Sequence, residues 1–196
     1  MPNIVLALIL LITAGVGETG TPNSDPIGPT LTPEITFVNA TPQQEATVLA
    51  AIADFVEADL PLPPLEVTFG EYPTGCKGNK GWFQPAPADN PAAPDRIEIC
   101  NSWEFFLYHE IAHAWEHHSA TDKTRDLVVD YWGLESWSSH DHEWGDRGIE
   151  KAASTVAYVL AFDAIPEDLN TDLYLCSYEI VTGSPLPAAI SADCNG

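Results

Sequence analysis

His109-Glu110-Ile111-Ala112-His113 sets two imidazoles four residues apart with a carboxylate between them. On an α-helix, residues four apart share a face one turn apart. The two side chains then stand about 6 Å from one another, within reach of one shared ion. Neutral imidazole suits Zn²⁺, and a bound zinc lowers the pKa of its water toward ~7. Glu110 projects beside the pair, where its carboxylate can take a proton from such a water. Ligands, base and a helix to hold them are all present, so metal-assisted hydrolysis is the chemistry to expect.

The supporting helix has a legible start. Asn101 is a good N-cap, and Glu104 three residues on completes a capping-box-like opening. The predicted helix runs from Ser102 to about His118, with Leu107, Tyr108, Ile111, Ala114 and Trp115 as its apolar face and the two histidines opposite. A catalytic zinc takes three protein ligands and keeps one position open. His117 shares the face of His113 but lies about 12 Å along the axis from His109. It reads, with His118, as a helix C-terminal residue favourable to the dipole. A better third ligand sits on the next predicted helix, Asp146 to about Phe162, where Ile149, Ala152, Val156, Val159 and Leu160 form an apolar stripe. Ala152 and Ala153 let another helix approach closely. Glu150 lies off that stripe, with Ser154 and Tyr158 on its own side, and is the candidate; Asp146, Glu143 and His142 are the substitutes.

On these residues the chain resembles the HExxH metallopeptidases, the zincins. The resemblance implies that His109 and His113 bind catalytic zinc and that Glu110 is the general base. A glutamate from a second helix, here Glu150, resembles the gluzincin arrangement. In that branch an acidic residue four places on often orients a zinc histidine, where this chain has Ser154. The metzincin branch would need Gly at position 116 and His at 119. This chain has Glu116 and Ser119, and no methionine after Met1 to build a Met-turn.

Between the two helices, residues 131–144 hold three tryptophans and two histidines. That segment either walls the cleft, with His140 or His142 bonding the oxyanion, or is pinned to the core by its aromatics. Asp168, Asn170, Asp172 and Glu179 match positions of an EF-hand loop, but Leu173 replaces the glycine its sharp turn needs, so a plain acidic loop is favoured. Asn39-Ala40-Thr41 is a glycosylation sequon, meaningful only in a eukaryotic secretory host.

The rest of the chain must position this site. Its 196 residues, 45% hydrophobic, allow one domain with a real core. Ile4 to Val16 is a nearly unbroken apolar run, short for a membrane span, so residues 1–17 read as a signal peptide or an N-terminal anchor. Residues 18–34 are rich in Gly, Pro, Ser and Thr and read as a flexible linker, leaving 35–196 as the folded domain. Four cysteines in an exported chain imply two disulfides. Three pairings are possible, and Cys76–Cys100 with Cys176–Cys194 are favoured because each closes a local loop.

Short strands are expected at Ile35–Val38, at Leu65–Phe69, near Gly81-Trp82-Phe83 and at Arg96–Cys100, the last half-buried or at an edge. A helix opens at Thr41-Pro42, with Thr41 as N-cap and Ala46, Val48, Leu49, Ile52, Phe55 and Val56 as its apolar stripe. Strands mixed with long helices give an α+β domain, a short mixed or antiparallel sheet packed on the site helix and the second ligand helix. A net charge of −22 disfavours nucleic acid and anionic lipid as partners.

The expected function is that of a secreted, monomeric zinc metallopeptidase acting on a peptide or protein. His109, His113 and Glu150 hold the Zn²⁺, and Glu110 passes a proton to the leaving amine. Residues Ile97–Ile99, leading into the site helix, are expected to pair with an extended substrate. The alternative is a non-catalytic exported zinc-binding or interaction domain; hydrolysis of a non-peptide amide is a weaker third reading.

Overall fold

The computed structural model describes residues 32–100, 104–139, 141–161, 172–187, 190 and 194. The expected leader and most of the linker lie outside these residues, as do Asn101, Ser102, His140, Phe162, Asp168 and Asn170.

The domain is α+β. Strands β1 (Ile35–Val38), β2 (Leu65–Phe69), β3 (Gly81–Gln84) and β4 (Asp95–Ile99) form one mixed sheet in the order β1-β2-β4-β3. β1 and β2 run parallel with Ile35 opposite Leu65, and β2 and β4 run parallel with Leu65 opposite Asp95. β3 lies antiparallel on β4 with Gly81 opposite Ile99. β4 is therefore interior, hydrogen-bonded on both sides, and has no edge to offer a substrate. Its alternation of buried and more exposed residues reflects one covered sheet face, and among the described residues the edge strands are β1 and β3.

Helix α1 (Pro42–Glu57) starts as its sequence dictates. Thr41 Oγ1 accepts from Gln44 N–H, Gln44 Oε1 accepts from Thr41 N–H, and Pro42 occupies the first helical position. Val48, Ala51, Ile52 and Phe55 are buried in the common core, whereas Leu49 points to solvent.

Helix α2 (Glu104–Ser119) is the centre of the molecule. Every residue from Leu107 to Glu116 is buried, so the histidine face is covered and not solvated. Burying His109, Glu110, His113 and Glu116 costs free energy unless each is hydrogen-bonded or charge-compensated. Leu107 and Ile111 on the same helix offset part of that cost, at about 1.5–3 kcal/mol each. Helix α4 (Gly148–Leu160) packs along α2 through Ala152, Ala153, Val156 and Ala157, all buried and small enough to let the helices approach closely.

Two further helices were not legible as such. Helix α3 (Asp122–Trp132) is capped by Thr121, whose hydroxyl accepts from Thr124 N–H, and stops at Gly133 in the left-handed region at φ 63°. Helix α5 (Asp172–Thr182) packs on α4 and α3. It carries Asp172 and Glu179 within one continuous helix, which rules out the EF-hand loop geometry.

Both favoured disulfides are present, Cys76–Cys100 and Cys176–Cys194. Two such bonds fit an extracellular protein. Among the described residues no helix is long and apolar enough to cross a membrane.

Candidate metal centre

His109 and His113 project from consecutive turns of α2 with ring centroids 4.6 Å apart, edge to face. Glu150, in the first turn of α4, reaches between them. Its Oε2 lies 3.1 Å from His109 Nε2 and 3.2 Å from His113 Nε2. One donor atom from each of the three residues falls within 4.8 Å of the others. The substitutes His142, Glu143 and Asp146 do not join this group. His142 stands instead 3.6 Å from Glu135.

The ring nitrogens facing away from Glu150 are held by other side chains. Ser154, one turn after Glu150, places Oγ 3.3 Å from His109 Nδ1. Glu116 accepts from His113 Nδ1 at 2.8 Å. Both histidines thus turn Nε2 toward the same point, and such outer partners fix ring orientation in metal sites. The donor set of two imidazoles and a carboxylate is the kind zinc takes. Ligand arms of about 2.0–2.1 Å in tetrahedral array would separate donors by about 3.3 Å, close to the observed distances. These residues fit a zinc ion.

In the metal-free chain the same contacts set the charges. Burial alone would lower His113, but its bonds to Glu116 and Glu150 and their charges hold it well above its usual value. Burial also lowers His109, to about 4, so that ring is neutral and ready to ligate near neutral pH. Glu150 is drawn the opposite way from what burial favours: its bonds to the two histidines bring it down to about 2. The position of Glu150 in the first turn of α4 also places its negative charge at the favourable end of the helix dipole.

Glu116 was not singled out by sequence as part of the site. It is fully buried. Only the spacing His113 to Glu116, three residues on one helix face, could have signalled it.

Glu110 is 5% exposed and lines a cleft of about 670 Å³ together with His113 and Glu150, a size in the range of small-ligand sites. Burial pushes its carboxyl up to about 7. The glutamate sits directly against Gly81 at the start of β3, where a Cβ would come within 2.6 Å of Glu110 Cγ. Real Cβ atoms do not approach that closely, so Gly81 leaves the space that Glu110 fills. Gly81→Ala is expected to displace Glu110 and lower turnover by about 10²-fold with metal content unchanged. Turnover and elemental analysis of the purified variant check this; parent-like turnover would show that Gly81 does not set the position of Glu110.

The cleft is walled by β3 and by the tryptophan-rich loop. Phe83 stacks on His113 with ring planes 22° apart. The Cys76–Cys100 bond fastens the turn Cys76–Gly78 beside the end of β4, and Cys100 N–H donates to Lys80 O. That places Gly78, Asn79 and Lys80 on the rim. The loop after α3 docks on the start of α4: Ile149 N–H donates to Trp137 O at 2.9 Å, and a Cβ on Gly148 would strike the Trp137 ring at 2.7 Å. Trp132 at the end of α3 and Trp137 in the loop pack on the core while Ser138 faces the cleft, so the loop is both pinned and a wall. His142 is not among the cleft-lining residues. Toward the other end of α2, His118 Nε2 lies 3.0 Å from the buried Asp95 carboxylate, a tie to β4 that the helix-dipole reading did not include.

Comparison with protein-family models, with curated protein sequences and with solved structures finds no match. The reading of the site therefore rests on its own geometry.

Proposed function

We propose that this chain is a secreted zinc metallopeptidase of the HExxH type, with His109, His113 and Glu150 as the metal ligands and Glu110 as general base. One observation carries the reading: two imidazoles and a carboxylate converge on a single point, and a second buried carboxylate stands beside them in an accessible cleft. A purely structural site has no use for that second carboxylate.

When bound, the zinc ion supplies Lewis acidity to a scissile carbonyl and to water. Glu110 takes the proton from the attacking water and delivers it to the leaving amine. Burial raises its pKa to about 7 in the metal-free chain, and a cation bound beside it would favour the charged form that accepts a proton. Ser154 and Glu116 keep the two imidazoles aimed, and His113, held protonated in the metal-free chain, gives up its Nε2 proton when the ion enters. Substrate pairing, expected at β4, moves to β3. The outer edge of β3 carries no strand among the described residues, and Trp82 and Phe83 line the cleft. An extended peptide laid on that edge would run past Glu110.

The test is direct. Protein purified without added chelator is expected to hold about one zinc per chain. It should cleave an unbiased peptide library, lose that activity with a chelator, and regain it when zinc is restored. Full cleavage in the metal-free protein would remove the ion from the mechanism.

A further inference from the structure

The chain carries 7 basic residues against 29 acidic ones. Three of the seven gather at one opening. Lys80 and Arg147 line the cleft, and Lys77 lies 3.8 Å over the ring of Trp82, which lines it too. On so acidic a surface each would be expected to have a carboxylate partner. Among the described residues none of the three has one within 4.0 Å; Arg96 and Arg125 do, while Lys123 and Lys151, away from the cleft, do not, so what sets the three apart is their gathering at one opening. The lysines are held by aromatic faces instead, Lys80 lying 5.0 Å from the Phe106 ring centre.

Arg147 is the most informative of them. One of its terminal nitrogens donates to His142 O at 3.1 Å, which fixes the guanidinium. Its Nε–H is buried and has no acceptor among the described residues. A buried donor left without an acceptor costs free energy, and a ligand oxygen would relieve that cost once a small shift of the side chain exposes Nε to the cleft. The planar fork of arginine matches a carboxylate in two-point contact. Arg147 also precedes Glu150 by three residues, about one helical turn, so an anion held there lies close to the reacting bond.

Resting on the peptidase reading above, we propose that the cleft selects peptides presenting a carboxylate beside the scissile bond, received by Arg147 with Lys80 in support. Either an acidic side chain or a free C-terminus supplies that chemistry. Long-range repulsion from the acidic surface disfavours such substrates at a distance, which is why unpartnered cations are needed at the opening itself.

The experiment uses full-length, zinc-loaded protein bearing Glu110→Gln, so that binding is read without cleavage. The probes are end-blocked peptides of one sequence with Glu, Gln or Lys at a scanned position, and the Gln peptide again with a free C-terminal carboxylate. Calorimetry is expected to show a carboxylate-bearing peptide bound about 10-fold tighter than the blocked Gln peptide, with the Lys peptide weakest. Tighter binding of the Glu peptide assigns a side-chain site; tighter binding only with the free C-terminus assigns a terminal one. Adding Arg147→Gln should shrink the ratio to about 3-fold or less at unchanged metal content, and Lys80→Gln should shrink it in part. Equal affinity for all the peptides, or a ratio untouched by both substitutions, overturns the proposal. Cleavage of none of them by the parent protein would instead count against the peptidase reading, and the binding comparison would still decide this one.

Discussion

Replacing Glu110 by Gln is expected to abolish turnover, by about 10³-fold or more, while leaving one zinc per chain. The magnitude follows from the role proposed: general acid–base groups contribute about 10²–10⁴-fold, and among the described residues lining the cleft Glu110 is the one carboxylate not committed to the histidines. The same substitution should stabilise the metal-free fold above neutral pH. Folding raises the Glu110 carboxyl from 4.5 to about 7 because burial disfavours its charged form. Over that window the folded chain keeps a proton that the unfolded chain has released, so stability falls as pH rises. The cost is absent below about pH 4.5, is complete above about pH 7, and amounts to about 3 kcal/mol at 1.4 kcal/mol per unit. Gln cannot ionise and escapes it. Denaturant unfolding in chelator should therefore give similar parent and variant stabilities at pH 4.5 and a more stable variant at pH 8. An active variant would sink the assigned base, and a variant destabilised equally at both pH values would sink the electrostatic account of its burial.

How much of this was readable beforehand depended on what each feature rests upon. The His109–His113 spacing is a property of helix geometry, so it survives any tertiary context. Glu150 was legible because an acid off an otherwise apolar stripe needs a reason, and the small residues Ala152 and Ala153 gave α4 a way to approach α2. Glu116 was not legible, since only its complete burial turns an ordinary helix glutamate into a partner for His113. The site helix showed its two histidines opposite an apolar face, but not that β3 and α4 cover that side as well. β4 looked like a possible edge because a strand's own alternation does not say how many neighbours it has. Helix α3 left usable signals, Thr121 at its start and Gly133 at its end, but with Val128 as its one buried residue it has no apolar stripe to announce it. The two disulfides followed from loop closure alone, and the structure needs no other pairing.

Glu150→Ala is expected to weaken zinc binding by well over 10²-fold and to abolish turnover with it. Loss of an outer partner alone costs a metal site about 10–100-fold in affinity, and Glu150 is proposed as a direct donor, so the loss should exceed that range. The consequence reaches further than the ion. Glu150 holds both Nε2 atoms, and its charge helps keep His113 protonated in a buried position. Without it, His113 retains only Glu116, and its pKa should fall. Two controls isolate the effect, because Glu143→Ala and Asp146→Ala remove the nearby acids that could have served as third ligand by sequence alone. Both should keep parent metal content, since neither side chain joins the donor group. Competition titration of zinc against a chromophoric chelator measures all three variants on one scale. If Glu150→Ala kept parent affinity while Glu143→Ala or Asp146→Ala lost it, α4 would not supply the third ligand. Its close packing on α2 would then serve the core alone.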